Sequence, residues 1–232
     1  MAGEERARLV ERAAELLGQD TKPILAQLME CDGGDWYLRE RIVKAPDAES
    51  VMDNSRVLKY AAHFQRNGAT VTFVREGTSP TPDLRVAVEA CTFYVEVRKF
   101  RMSVDASKYP VEKIVAVMEK RTQLPASEIG FIAIDNFDVH LEPRFRHDLI
   151  AEALSEIERL AKSNAGGWRQ PSGVIVHAMS RTGSGPVVLG PPHFVWTNPV
   201  AERSAPPALI EWLVAALPDG EFVGPSAARP TG

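Results

Sequence analysis

The chain has 232 residues, a formal net charge of −4 and two cysteines, with 44% hydrophobic and 25% charged residues. That balance suits globular material with one sizeable core and excludes a generally basic nucleic-acid coat, so a polyanion would have to be met by a local patch. No run of about 18 apolar residues is present, which excludes a helical membrane span, and the charged N-terminus MAGEERARLVERAAELL does not read as a secretory signal.

Residues 4–18 carry Leu9, Val10, Ala13, Leu16 and Leu17 at helical spacing, with Gly18 at the end. A second short helix is predicted from Pro23 to Met29. CDGGD (31–35) reads as a turn, and WYLRERIV fits either a short strand or a helical turn. A longer helix begins near Pro46 to Ser50 and ends at Asn67-Gly68, a pair suited to a left-handed cap. Its apolar stripe is Val57, Tyr60, Ala61 and Phe64, and stepping back by fours from Val57 reaches Asp53 and Glu49. The buried face of this helix therefore continues into carboxylates.

ATVTFVRE alternates as a strand does, and GTSPTP is a loop. PDLRVAVEACTFYVEVRKF (82–100) then reads as two strands joined near Ala90-Cys91-Thr92. A helical pattern follows from Tyr109 to Arg121, and GFIAIDNF (130–137) is a buried strand. Residues 144–162 form an amphipathic helix, SGVIVHAM a strand, RTGSGP a tight turn, HFVWTNP a strand, and Pro207 to Leu217 a last helix. The remainder, 218–232, is rich in Pro and Gly and reads as a loose tail. The order predicts a mixed α/β sheet with an antiparallel hairpin core, parallel additions after helical crossovers, and helices on both faces. A helical extension over 1–45, one α/β domain over 46–217 and the tail complete the organisation.

The hairpin holds the chemistry. Asp83 stands at the mouth of the first strand, and Glu96 lies between Val95 and Val97 in an apolar strand. A carboxylate in such a run is costly unless something compensates it. Two carboxylates brought together repel unless a cation lies between them or one takes up a proton, and oxygen ligands of this kind suit Mg2+ or Mn2+.

The order of a carboxylate-bearing helix, a strand, Pro82-Asp83, a hairpin and then Glu96-Val97-Arg98 resembles the PD-(D/E)xK nuclease superfamily, the restriction-endonuclease-like fold, over roughly residues 46–137. The resemblance implies metal-dependent phosphodiester hydrolysis of nucleic acid, DNA ahead of RNA. It implies Asp83, Glu96 and the Val97 carbonyl as metal ligands, with Asp53 or Glu49 assisting. Arg98 stands where the family has lysine, and arginine is never a neutral base. A β-bulge turning Lys99 inward, or Lys108 or Lys113 from the next helix, would supply a lysine. Otherwise the chain is a nuclease-fold module that binds nucleic acid or protein without cutting. Arg85, Arg98, Lys99, Arg101, Lys108 and Lys113 form the expected phosphate track. Cutting both strands of a duplex commonly needs two sites, which makes a homodimer plausible.

Simpler readings stand beside these. Glu96 pairs with Arg98 or Arg85 on an exposed strand face, and Asp53 and Glu49 serve a helix N-terminus. His63, His140, His147, His177 and His193 show no metal-ligand spacing, so no histidine site is expected. RTGSGPVVLG runs strand to strand and is a hairpin rather than a phosphate loop. Trp36, beside a Gly-Gly turn, is the tryptophan placed to offer a stacking surface. Cys31 and Cys91 lack CxxC spacing, read as small buried hydrophobes, and point to a cytoplasmic setting.

Overall fold

The computed structural model describes residues 2–77, 81–89, 91–99, 115–139, 143–163, 167–180 and 193–223. Seven strands form one sheet in sequence order: β1 (Thr70–Phe73), β2 (Leu84–Val88), β3 (Cys91–Lys99), β4 (Ile129–Val139), β5 (Gly173–Ser180), β6 (His193–Thr197) and β7 (Gly220–Val223). The sheet is mixed. β1 and β2 are antiparallel, β3 to β4 and β4 to β5 are parallel, β5 to β6 is antiparallel and β6 to β7 parallel. The expected parallel addition after helical crossovers therefore holds for β4 and β5. The chain divides into two compact units, residues 1–92 and 93–232, so residues 1–45 share a unit with 46–92.

The first unit contains α1 (Ala2–Leu17), α2 (Lys22–Leu28), α3 (Gly34–Tyr37) and α4 (Ala48–Arg66), with β1 and β2. Leu9, Val10, Ala13 and Ala14 of α1 are buried, as are Val51, Val57, Leu58, Tyr60, Ala61 and Phe64 of α4. Asp47 caps α4 by accepting a hydrogen bond from the Ser50 amide at 2.7 Å. WYLRERIV is helical, α3 passing directly into a π-turn over Leu38–Val43 that buries Leu38 and Ile42. The preceding turn depends on its glycines. Gly33 has φ +73°, and a Cβ on Gly34 would lie 2.0 Å from the Leu28 carbonyl oxygen. In β1 and β2 the buried residues alternate: Val71 and Phe73, then Leu84 and Val86.

The second unit holds β3 to β7, α5 (Pro143–Lys162) and α6 (Pro207–Ala216). Ile132, Ile134, Val174, Val176, Phe194 and Trp196 line one face of its strands and pack with Ile150, Ala153, Leu154 and Ile157 of α5. On the other face Phe93 meets Phe131 and Trp212 of α6 edge-on, at centroid distances of 5.9 and 6.0 Å.

Two expectations change. The tail is not wholly loose, because Gly220–Val223 pairs in parallel register with β6 as the seventh strand. Four residues among prolines and glycines are too few to show an alternation. Of the helical pattern at 109–121, residues 115–117 are helical and Met118–Gln123 form a 3-10 turn, while 109–114 lie outside the described residues. RTGSGP lies outside them as well. Among the described residues no helix is long and apolar enough to cross a membrane. Neither cysteine is in a disulfide, and both are half-buried.

Candidate functional site

In the first unit the acids sit at helix and strand ends. Glu49 is exposed in the first turn of α4, and Asp53, one turn on, is partly buried. Asp83 is partly buried immediately before β2, and its carbonyl accepts a hydrogen bond from the Val74 amide at 3.0 Å, extending the β1–β2 ladder. Arg85 is exposed, opposite Thr72.

Asp83 makes itself felt at Tyr37. Burial pushes the Tyr37 hydroxyl well above its ordinary value, the Asp83 carboxylate adds to the rise, Arg41 opposes it and Glu76 adds a little more. The hydroxyl donates to the Asn54 carbonyl at 3.1 Å, and the Asn54 side chain donates to the Arg41 carbonyl at 2.7 Å. This network ties α3, the π-turn and α4 together around the residue that follows Asp53.

A pH dependence follows. Tyr37 holds its proton more tightly folded than unfolded, so its contribution is complete below about pH 10 and is lost as pH rises through the folded-state value. Unfolding free energy is therefore expected to fall through that alkaline window. In Tyr37→Phe this component disappears, with a loss of about 1 kcal/mol at neutral pH from the missing hydrogen bond. Urea unfolding of both proteins across alkaline pH checks this, and equal pH slopes would contradict it.

In the second unit Glu96 is 0% exposed in the middle of β3. Its register with Ile132, and that of Arg98 with Ile134, puts both on the face that carries the α5 cluster. The Arg98 guanidinium nitrogen Nη2 lies against Glu96 Oε1. The contact is close enough for an ion pair, yet neither carboxylate oxygen has a well-aligned hydrogen-bond donor among the described residues, and the buried Arg98 Nε–H has no well-aligned acceptor. We read it as charge compensation rather than an aligned hydrogen bond. The expectation of an exposed strand face for this pair is corrected: Glu96 is fully buried, and only Arg98 reaches solvent, with a third of its side chain exposed.

Val97 follows at 6% exposure on the opposite side of the strand. Lys99 ends β3 in register with Asp135. The β3–β4 ladder is unbroken from Phe93 to Lys99, so it contains no bulge turning Lys99 toward the Glu96 face. The irregularity lies instead where β4 pairs with β5, between Ile134 and Phe137. Arg101, Lys108 and Lys113 of the expected phosphate track lie outside the described residues.

The sequence reading passed over a second buried polar group. Asp135, 2% exposed, sits at that bulge, and its carboxylate contacts His177 Nδ1. His177 stacks on His193 at 4.5 Å between centroids, and His193 Nδ1 donates to the Pro218 carbonyl at 2.9 Å. The cue that singled out Glu96, an acid inside an apolar strand, was equally present in FIAID. The two histidines meet only through the β5–β6 register, which no spacing reveals.

Chemically, the acids offer hard oxygen ligands suited to Mg2+ or Mn2+, and the buried Glu96 carboxylate demands a cation. Among the described residues no group of three or more His, Cys, Asp or Glu side chains is arranged to hold a metal ion. A cation at Glu96 would therefore share at most one further such side chain among the described residues, with backbone carbonyl and water completing its shell. No protein-family model, curated protein or solved structure matches the chain.

Proposed function

We propose that the chain hydrolyses phosphodiester bonds of nucleic acid, DNA ahead of RNA, with a divalent cation held by Asp83, Glu96 and the Val97 carbonyl. The observation that carries the reading is Glu96, a carboxylate at 0% exposure whose compensating charge among the described residues comes from the next side chain on its face. The order α4, β1, Asp83, β2, β3 supports it, since that is the order on which the resemblance to the nuclease superfamily rests.

Bound Mg2+ or Mn2+ would polarise the phosphodiester and lower the pKa of an attacking water. Asp53, at the buried edge of α4, orients water. Arg98 neutralises Glu96 here; with a divalent cation bound at Glu96, its guanidinium would be available to the substrate phosphate, where it would stabilise developing charge. Its third of exposed side chain gives it the freedom to do so.

One observation favours a second reading. An arginine already paired with the acid is a self-neutralised site, as in a nuclease-fold module that has lost chemistry and binds nucleic acid or protein. The test is incubation of the purified chain with single- and double-stranded DNA and RNA in Mg2+, in Mn2+ and in EDTA. Cleavage confined to the metal-containing reactions supports hydrolysis. Binding that needs no divalent ion, with no cleavage under any condition, supports the module.

A further inference from the structure

We propose that Trp36, Arg41 and Arg75 of the first unit form a station that grips the phosphate backbone of a nucleic-acid strand beside Asp83. The inference rests on the nucleolytic reading and names the part of the chain that would hold the strand.

Three segments converge here. Trp36 comes from α3, presented by the turn that requires Gly33 and Gly34. Arg41 comes from the π-turn, and Arg75 lies just beyond β1. The guanidinium carbons stand 5.9 Å (Arg41) and 5.7 Å (Arg75) from the indole centroid, within cation–π range. An aromatic face that holds planar guanidiniums in place reduces the side-chain freedom lost when they bind phosphate.

Bringing two like charges to one ring is unfavourable without an anion. Glu76 pairs with Arg41 and supplies one negative charge. Arg75 is exposed and has no acidic ion-pair partner among the described residues, which leaves its charge for an outside ligand. A phosphodiester strand is that ligand by chemistry, since a planar guanidinium fork matches phosphate oxygens.

The position is set by the same contacts that place Asp83. The Val74 amide bonds the Asp83 carbonyl at 3.0 Å, so Arg75 leaves β1 one residue beyond Asp83's backbone partner. Trp36 is followed by Tyr37, the residue on which the Asp83 charge acts. In a chain of net charge −4, a local cationic station is what lets a polyanion approach.

The test is fluorescence anisotropy of a labelled DNA oligonucleotide in EDTA across a salt series, run beside Mg2+-dependent cleavage. Arg75→Ala is expected to weaken binding roughly fivefold to tenfold and to reduce the slope of log K against log salt by about 0.7–0.9. Arg12→Ala, exposed on α1, removes the same formal charge and is expected to leave the slope unchanged. Trp36→Ala is expected to weaken binding as Arg75→Ala does, and Trp36→Phe to retain most of it. Wild-type affinity and slope in Arg75→Ala, with cleavage intact, would overturn the station and leave the nucleolytic reading standing. A wild-type chain that neither binds nor cleaves DNA would overturn both. Equal binding of polyglutamate and DNA would overturn the station in favour of an acidic protein partner.

Discussion

Alanine at position 83 is expected to reduce metal-dependent cleavage by about 10^3-fold or more, which corresponds to roughly 4 kcal/mol of transition-state stabilisation. In the proposed site Asp83 supplies one of two charged ligands, so its loss removes the cation as well as a contact. The fold is expected to survive. Asp83 is only partly buried, and the bond that places it in the ladder uses its backbone carbonyl, which alanine retains. Loss of its charge also relieves Tyr37, whose hydroxyl is expected to ionise at lower pH than in the wild type. Tyrosinate absorbance during alkaline titration reads that change without any substrate. Single-turnover cleavage with matched circular-dichroism melts decides the main point, and wild-type cleavage by folded Asp83→Ala would remove the assignment.

The second large effect is on stability. Arg98→Ala strips a fully buried carboxylate of the cation that the described residues provide. Breaking a buried pair by removing one partner commonly costs about 3–5 kcal/mol. Because Arg98 keeps a third of its side chain in water, we expect roughly 2–4 kcal/mol. Replacing both Glu96 and Arg98 by leucine is expected to restore most of that loss, since an apolar pair of similar volume leaves no charge to compensate. Millimolar Mn2+ is expected to return part of the stability of Arg98→Ala by neutralising Glu96 directly. Urea unfolding of the wild type and both variants, with and without Mn2+, checks this. A change in Arg98→Ala below about 0.5 kcal/mol, the scale of a surface pair, would contradict it.

The elements that the sequence predicts best are those with long, uninterrupted patterns. The stripe of Val57, Tyr60, Ala61 and Phe64 is buried as its spacing implies, and the alternation in β1 and β2 puts Val71, Phe73, Leu84 and Val86 inside. Glu96 was legible as an anomaly, and its complete burial bears out the question it raised. What resisted reading depended on partners distant in the chain. WYLRERIV offers apolar residues at both strand and helix spacing, and the π-turn follows from docking Leu38 and Ile42 together. β7 is defined by its neighbour β6, since GEFV alone carries too little pattern. Asp135 turns toward His177 at an irregularity between β4 and β5, and no local signal marks a bulge there. Lys99 was offered a bulge of its own, but hydrogen bonding with β4 holds β3 in regular register to its end.

The central claim of the proposed function is that Asp83, just before β2, and Glu96, within β3, share one divalent cation. Titration of Mn2+ into the wild type, Asp83→Asn and Glu96→Gln, followed by the electron paramagnetic resonance signal of unbound Mn2+, measures it without any substrate. The account predicts a saturable site in the wild type that either substitution weakens at least about tenfold, because each removes a charged ligand of similar size. No saturable site in the wild type, or an affinity that both substitutions leave unchanged, would contradict it.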